Sequence, residues 1–258
     1  MVSQGVISAM YMNVFISIFL PIVLLIIFKK KWNVSIKVFL VGMLTFFVFA
    51  ILLEGLLHSV VVTDKLTKQP FLYMLYGGLS AGVFEEVGRY FMFAVMIKQY
   101  RDWKDGLAFG LGHGGFEAVV VAGLNNVLFL SMATMMNSGN MEEMLNTAEL
   151  VAAFEPIKES LLQATVLETI LAGVERISAL AIQMGLSILV LYSITSGRKL
   201  YLLYAILIHA VIDFPAALFQ TGVFTNIYVL EIIILVFAAM SVVWIIQSRK
   251  LFTEKSVA

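Results

Sequence analysis

An all-α, polytopic integral membrane bundle of about seven transmembrane helices is the fold class this sequence predicts, on three observations. Seven apolar runs are each long enough for a helix to cross a hydrocarbon core of about 30 Å. Hydrophobic residues make up 61% of the 258 and charged residues only 13%, well below the charge content of a water-soluble domain. Basic residues gather in every second connection between the runs, the asymmetry of a membrane protein with a fixed orientation. A single integral membrane domain, 1–258, is expected, with its polar motifs in 71–220.

The first run, 5–28, has neither a basic leader nor a small-residue cleavage site, so it is expected to be a retained span. The second, 36–62, carries Glu54 and His58. The third, 71–97, carries Glu85, Glu86 and Arg89; the fourth, 105–132, is glycine-rich around His113 and Glu117. An acidic segment follows at 138–162, with Glu142, Glu143, Glu149, Glu155 and Glu159 at helical periodicity, and is expected to be a surface helix on the outer face. The fifth run, 163–195, holds Glu175 and Arg176, the sixth, 200–220, holds His209 and Asp213, and the seventh is 224–247.

Lys29, Lys30, Lys31 and Lys37 follow the first run, Lys98, Arg101 and Lys104 the third, Arg198 and Lys199 the fifth, and Arg249, Lys250 and Lys255 the last. These connections are therefore expected inside, with the N-terminus outside and the C-terminus in the cytoplasm. Trp32, Trp103 and Trp244 near run ends read as exposed interface anchors. Zero net charge gives no hint of nucleic-acid binding. The absence of cysteine excludes disulfides, thiolate ligands and cysteine nucleophiles.

Each of the three histidines has a carboxylate one helical turn away: Glu54 before His58, Glu117 after His113, Asp213 after His209. Side chains four apart share a helix face, so each pair can present one polar site. Six acids lie several residues inside a run. At about 3 kcal/mol each on insertion scales, they must be paired, protonated or in a wet cavity. Counted at 1.5 Å per residue from the basic ends, Glu86, His113 and His209 lie about 17, 12 and 14 Å deep, in one layer. Glu54, His58 and Glu175 fall nearer the other face and read as supporting or structural. Gly106, Gly110 and Gly114, with Gly112 and Gly115, bare the helix around His113 for a close approach by backbone or substrate.

Three elements in chain order, Glu85-Glu86-Val87-Gly88-Arg89, Phe109-x-x-x-His113 and His209-x-x-x-Asp213, resemble the motifs of the CaaX-protease and bacteriocin-processing superfamily of intramembrane proteases, and within it the YhfC branch. The resemblance implies an intramembrane endopeptidase of the glutamic type, acting on a membrane-embedded or lipidated peptide in the plasma membrane without a cofactor. By position it gives catalytic roles to Glu85, Glu86, His113, His209 and Asp213, with Arg89, Glu117 and Phe109 in support. Glu85 and His113 would activate a water, and His209 and residue 213 would stabilise the oxyanion.

Two departures bear on those roles. The superfamily usually spaces its arginine as Glu-Glu-x-x-x-Arg; here Arg89 is one residue closer, four from Glu85 and three from Glu86, so the base is open between the two. Residue 213 is Asp213 where asparagine is common; ionised, it only accepts hydrogen bonds, and its expected task is to orient His209.

Rival readings remain. A zinc hydrolase would use His113, His209 and one of Glu85, Glu86 or Glu117, with Glu86 as the first choice, leaving an open fourth position. A proton-coupled transporter also needs acids and histidines in the membrane, and a non-catalytic scaffold is the third alternative. His-Glu-x-x-His and Gly-x-Gly-Asp are absent. Gly78-Leu79-Ser80-Ala81-Gly82 spells a nucleophile elbow but lies in an apolar helix, where packing is the better explanation.

Overall fold

The computed structural model describes residues 1–140 and 147–253, and these are all-helical apart from turns. The helices are α1 (Gln4–Trp32), α2 (Ile36–Thr45), α3 (Gly55–Val61), α4 (Asp64–Thr67), α5 (Pro70–Val95), α6 (Trp103–Glu117), α7 (Leu124–Ser138), α8 (Ala148–Gln163), α9 (Val166–Ser196), α10 (Leu200–Gln220) and α11 (Ile227–Thr253). Two π-helical segments, Phe46–Glu54 and Ala118–Gly123, join α2 to α3 and α6 to α7. Among the described residues six helical stretches are long and apolar enough to cross a membrane: Gln4–Trp32, Ile36–Val61, Trp103–Ser138, Val166–Ser196, Leu200–Gln220 and Ile227–Phe252. The remaining predicted span coincides with α5, whose 26 residues include Glu85, Glu86 and Arg89.

The chain divides into two compact units. One comprises Met1–Leu20 and Ala118–Ile177. Its core gathers Val2, Val6, Ile7 and Met10 against Leu130, Met132, Ala133 and Leu161. Within it α8 is the predicted connector helix, started by Thr147, whose side chain accepts from the Leu150 amide. Glu149 and Glu159 are exposed on α8, while Phe154 and Ile157 turn to the core. Glu142, Glu143 and Lys255 lie outside the described residues.

The other unit, Pro21–Glu117 and Ser178–Ala258, holds every polar motif of the layer predicted from the sequence. Its framework is two close helix pairs, α5 with α10 and α2 with α6. Glycines explain the closeness. A Cβ on Gly112 would stand 1.9 Å from the Phe39 carbonyl oxygen, and one on Gly42 would stand 2.1 Å from that of Phe109. Gly78 and Gly82 do the same for α5, facing the carbonyls of Ala210 and Ile206. The glycines around His113 are thus a packing seam filled by neighbouring helices, and not an opening for substrate. Helices that share no hydrophobic driving force in lipid gain van der Waals contact by such approach. The Gly-x-Ser-x-Gly segment belongs to the same seam, with Ser80 donating to Glu54 at 2.9 Å.

One anchor assignment needs correction. Trp103 is buried, packs edge-on to Trp32 at 5.4 Å and donates its indole N–H to the Ile245 carbonyl at 2.9 Å. The indole ties the start of α6 to α11, a use that span-end position alone does not distinguish from interface anchoring.

Candidate active site

The helix pairs bring Glu85, Glu86 and Arg89 on α5 to His113 on α6, His209 on α10 and Gln183 on α9. Arg89, Glu86 and His113 are fully buried, and Glu85 and His209 nearly so. A cluster of this charge is tolerable in an apolar layer only if its members neutralise one another, and the contacts show how they do.

Arg89 is the cation at the centre. Its Nη2 donates to Glu85 Oε2 at 3.0 Å and to Gln183 Oε1; its Nη1 donates to the Gln183 carbonyl at 2.9 Å and to Ser187 Oγ at 2.8 Å. The Nε lies 3.4 Å from Glu86 Oε2, an ion pair without hydrogen-bond geometry. Both glutamates therefore answer to one guanidinium, and the choice that helix spacing leaves open is not resolved by Arg89 alone.

The histidines separate them. His113 Nε2 is 2.8 Å from Glu85 Oε2, whereas His209 Nδ1 is 2.6 Å from Glu86 Oε1. His209 Nε2 looks the other way, 3.5 Å from Asp213 Oδ2 and 4.0 Å from Glu85 Oε1. His113 Nδ1 has no hydrogen-bond partner, so the tautomer that fits carries its proton on Nε2 and donates to Glu85. Phe46, from the first π segment, stands edge-on to the His113 ring at 5.2 Å, and Phe109 lies along it at 6.4 Å. These rings hold the imidazole in an apolar sleeve.

The pairs expected within single helices fare differently. His209 and Asp213 do lie side by side, as do Glu54 and His58 at 3.6 Å. His113 instead turns across to Glu85, and Glu117 accepts from Gln183 Nε2 at 2.6 Å. Glu54 and His58 form a polar group with Ser80 and Tyr76, whose hydroxyl is 2.9 Å from His58 Nδ1, and the charge of Glu54 acts on Glu85, His209 and Asp213. Glu175 pairs with its neighbour Arg176 in the other unit.

Gln183 and Ser187 are the residues that motif reading misses. Their signal is present in the sequence: two polar residues four apart in the apolar run 163–195, on one helix face. Asp213 is the exposed edge of the cluster, its side chain 37% exposed while Glu85, Glu86, Arg89, His113 and His209 are buried.

The zinc ligand set His113, His209 and Glu86 does not converge on one point. Glu86 binds His209 from behind, on Nδ1, while His113 faces Glu85. Arg89 is paired with both carboxylates, through a hydrogen bond to Glu85 Oε2 and an ion pair with Glu86 Oε2. Among the described residues no group of three His, Cys, Asp or Glu side chains is placed to hold an ion. The residues as arranged do not fit a tetrahedral metal centre.

The family described as "YhfC intramembrane metalloprotease" matches residues 16–234, a stretch that includes every residue of the cluster. The chain is also similar to the membrane protein YhfC of Bacillus subtilis (strain 168), at 45% identity over 257 residues, covering 98% of this chain and 100% of the relative. No solved structure matches. With the match running through nearly the whole bundle and all three motif helices, the chain belongs to the YhfC intramembrane metalloprotease family, a family of multi-pass membrane proteins.

Proposed function

We propose that this protein is an intramembrane endopeptidase in which Glu85 is the general base. The observation that carries the reading is the unequal use of its two oxygens. Oε2 accepts from Arg89 and His113 and lies 3.4 Å from Gln183 Nε2, while Oε1 lies 4.0 Å from His209 Nε2. Two polar atoms that far apart leave room for a water hydrogen-bonded to each at about 2.8 Å.

The steps follow from the donors and acceptors in place. A water on Glu85 Oε1 attacks the scissile carbonyl carbon and gives its proton to that oxygen; Glu85 then passes the proton to the leaving amine nitrogen. The substrate carbonyl oxygen takes the Nε2 donor of His209 as it becomes an oxyanion. Glu86, on Nδ1 of the same ring, holds the imidazole in the orientation that aims Nε2 at the substrate. His113 and Arg89 keep Oε2 occupied, so the proton is taken at one oxygen. Asp213 lies on the exposed flank, where it orients the His209 donor without supplying a hydrogen bond of its own.

The substrate class is a membrane-embedded or lipidated peptide, because the cluster lies within helices that are apolar along their outer faces. The basic connections support an orientation with the N-terminus outside, which opens the catalytic layer toward the cytoplasmic half. The test is cleavage of membrane-anchored peptides by the purified protein in liposomes, comparing wild type with Glu85→Gln. Loss of cleavage in a folded Glu85→Gln variant is expected; an undiminished rate overturns the assignment.

The family's description as a metalloprotease favours a second reading, in which a bound zinc ion would supply Lewis-acid chemistry to the scissile carbonyl. The ligands would be drawn from His113, His209 and a carboxylate, after a rearrangement that takes Arg89 off Glu85. Loss of cleavage in chelator, with recovery on adding zinc, is the result that would establish it.

A further inference from the structure

Arginine beside a carboxylate ordinarily binds it in a fork, with two parallel N–H···O bonds that use both oxygens. Arg89 does not bind Glu85 that way. Only Nη2 reaches Glu85, and only at Oε2, because Nη1 is committed to the Gln183 carbonyl and Ser187 Oγ while Nη2 is shared with Gln183 Oε1. Three of the acceptors around the guanidinium thus come from one turn of α9.

The Gln183 amide is itself fixed. Its Nε2 donates to Glu117 Oε2 at 2.6 Å and lies 3.4 Å from Glu85 Oε2, so its Oε1 is left to face Arg89. The opposite amide orientation would set its NH2 against the guanidinium and its oxygen against two carboxylates, pairing like with like on both sides. Glu117 thereby acts on Arg89 through Gln183.

We propose that Gln183 and Ser187 are positioning residues that hold Arg89 to a single bond with Glu85 and so keep Glu85 Oε1 free to take a proton. The proposal rests on the reading of Glu85 as the base. Without the clamp, the guanidinium turns to chelate both Glu85 oxygens, which neutralises the base where water must bind. The defect is one of reactivity, and substrate binding at the exposed Asp213 flank is unaffected.

The experiment uses wild-type protein and variants in liposomes with a library of membrane-anchored peptides. Gln183→Met keeps the side-chain length and removes both polar atoms; kcat is expected to fall about tenfold, the rate equivalent of one hydrogen bond to a charged group, with KM within about twofold. Ser187→Ala, a smaller change, is expected to lower kcat about threefold. The decisive variant is Gln183→Met with Arg89→Lys. A lysine is a point charge that cannot chelate in a fork, so the double variant is expected to be faster than Gln183→Met alone.

A merely structural role predicts the reverse, with the two losses multiplying, and that outcome overturns the proposal. So do Gln183→Met and Ser187→Ala proteins that both cleave at the wild-type rate while Glu85→Gln is inactive. If Gln183→Met does not fold, Ser187→Ala with and without Arg89→Lys decides by the same comparison. A fully active Glu85→Gln variant defeats the reading of the base instead, whatever the clamp variants do.

Discussion

Replacing Arg89 with methionine removes the guanidinium paired with both Glu85 and Glu86, to which His209 also lies within ion-pair distance, and its consequence can be worked from the contacts. Glu85 keeps His113 on Oε2, but Glu86 Oε2 has no hydrogen-bond partner and only the Arg89 ion pair beside it. Gln183 O, Gln183 Oε1 and Ser187 Oγ lose their donor at the same time. Breaking a buried ion pair by removing one partner costs about 3–5 kcal/mol, a large share of the roughly 5–15 kcal/mol that holds a typical domain folded. At about 2–4 °C per kcal/mol for a chain near this size, the variant is expected to unfold on the order of 10 °C below wild type. The assay is thermal unfolding of detergent-purified protein, with Glu86→Gln added as a second change. Neutralising Glu86 removes the stranded charge, so the double variant is expected to recover part of the loss. An Arg89→Met protein that unfolds within about 2 °C of wild type would refute the view that this guanidinium neutralises the cluster.

Other substitutions probe separate parts of the account. His209→Ala removes the donor aimed at the substrate oxygen and is expected to lower kcat by about 10²–10³, measured under saturating peptide; a loss confined to KM would contradict the oxyanion role. Gly112→Ala forces a Cβ against the Phe39 carbonyl, so α2 and α6 must separate; overpacking of this kind costs about 1–3 kcal/mol or more, read as a lower unfolding temperature, and an unchanged temperature would show that the seam is not closed there. Glu54→Gln keeps the acceptor for Ser80 and removes a charge that acts on Glu85 and His209, leaving the hydrogen bonds of Glu85 to Arg89 and His113 in place; cleavage is expected to fall less than in any Glu85 variant, and inactivation equal to Glu85→Gln would move the catalytic centre.

What could be read from the sequence was the layer, and what could not was the wiring. Helix rise and the positions of Glu86, His113 and His209 suffice to put them at one depth, and the structure gathers them. Pairing within a helix predicted His209 with Asp213, but His113 chose Glu85 on another helix over Glu117, which no intrahelical spacing reveals. Glycine spacing on α6 announced a close approach without saying whether its partner was a substrate or the backbone of α2. Gln183 and Ser187 had the right spacing but no acid or histidine to draw notice, and Glu231 is a buried acid of α11 that hydropathy passes over. The π segment that carries Phe46 beside His113 and ends at Glu54 has no periodicity signal of its own, although such segments recur at functional sites.

The most direct test of the central claim is the rate of peptide cleavage by purified wild-type protein and Glu85→Gln in liposomes, each with and without a strong chelator. A glutamate base predicts wild-type cleavage that is indifferent to the chelator and a rate at least about 10²-fold lower for Glu85→Gln. Wild-type cleavage abolished by the chelator and restored by zinc, or a Glu85→Gln variant that cleaves as fast as wild type, would contradict it.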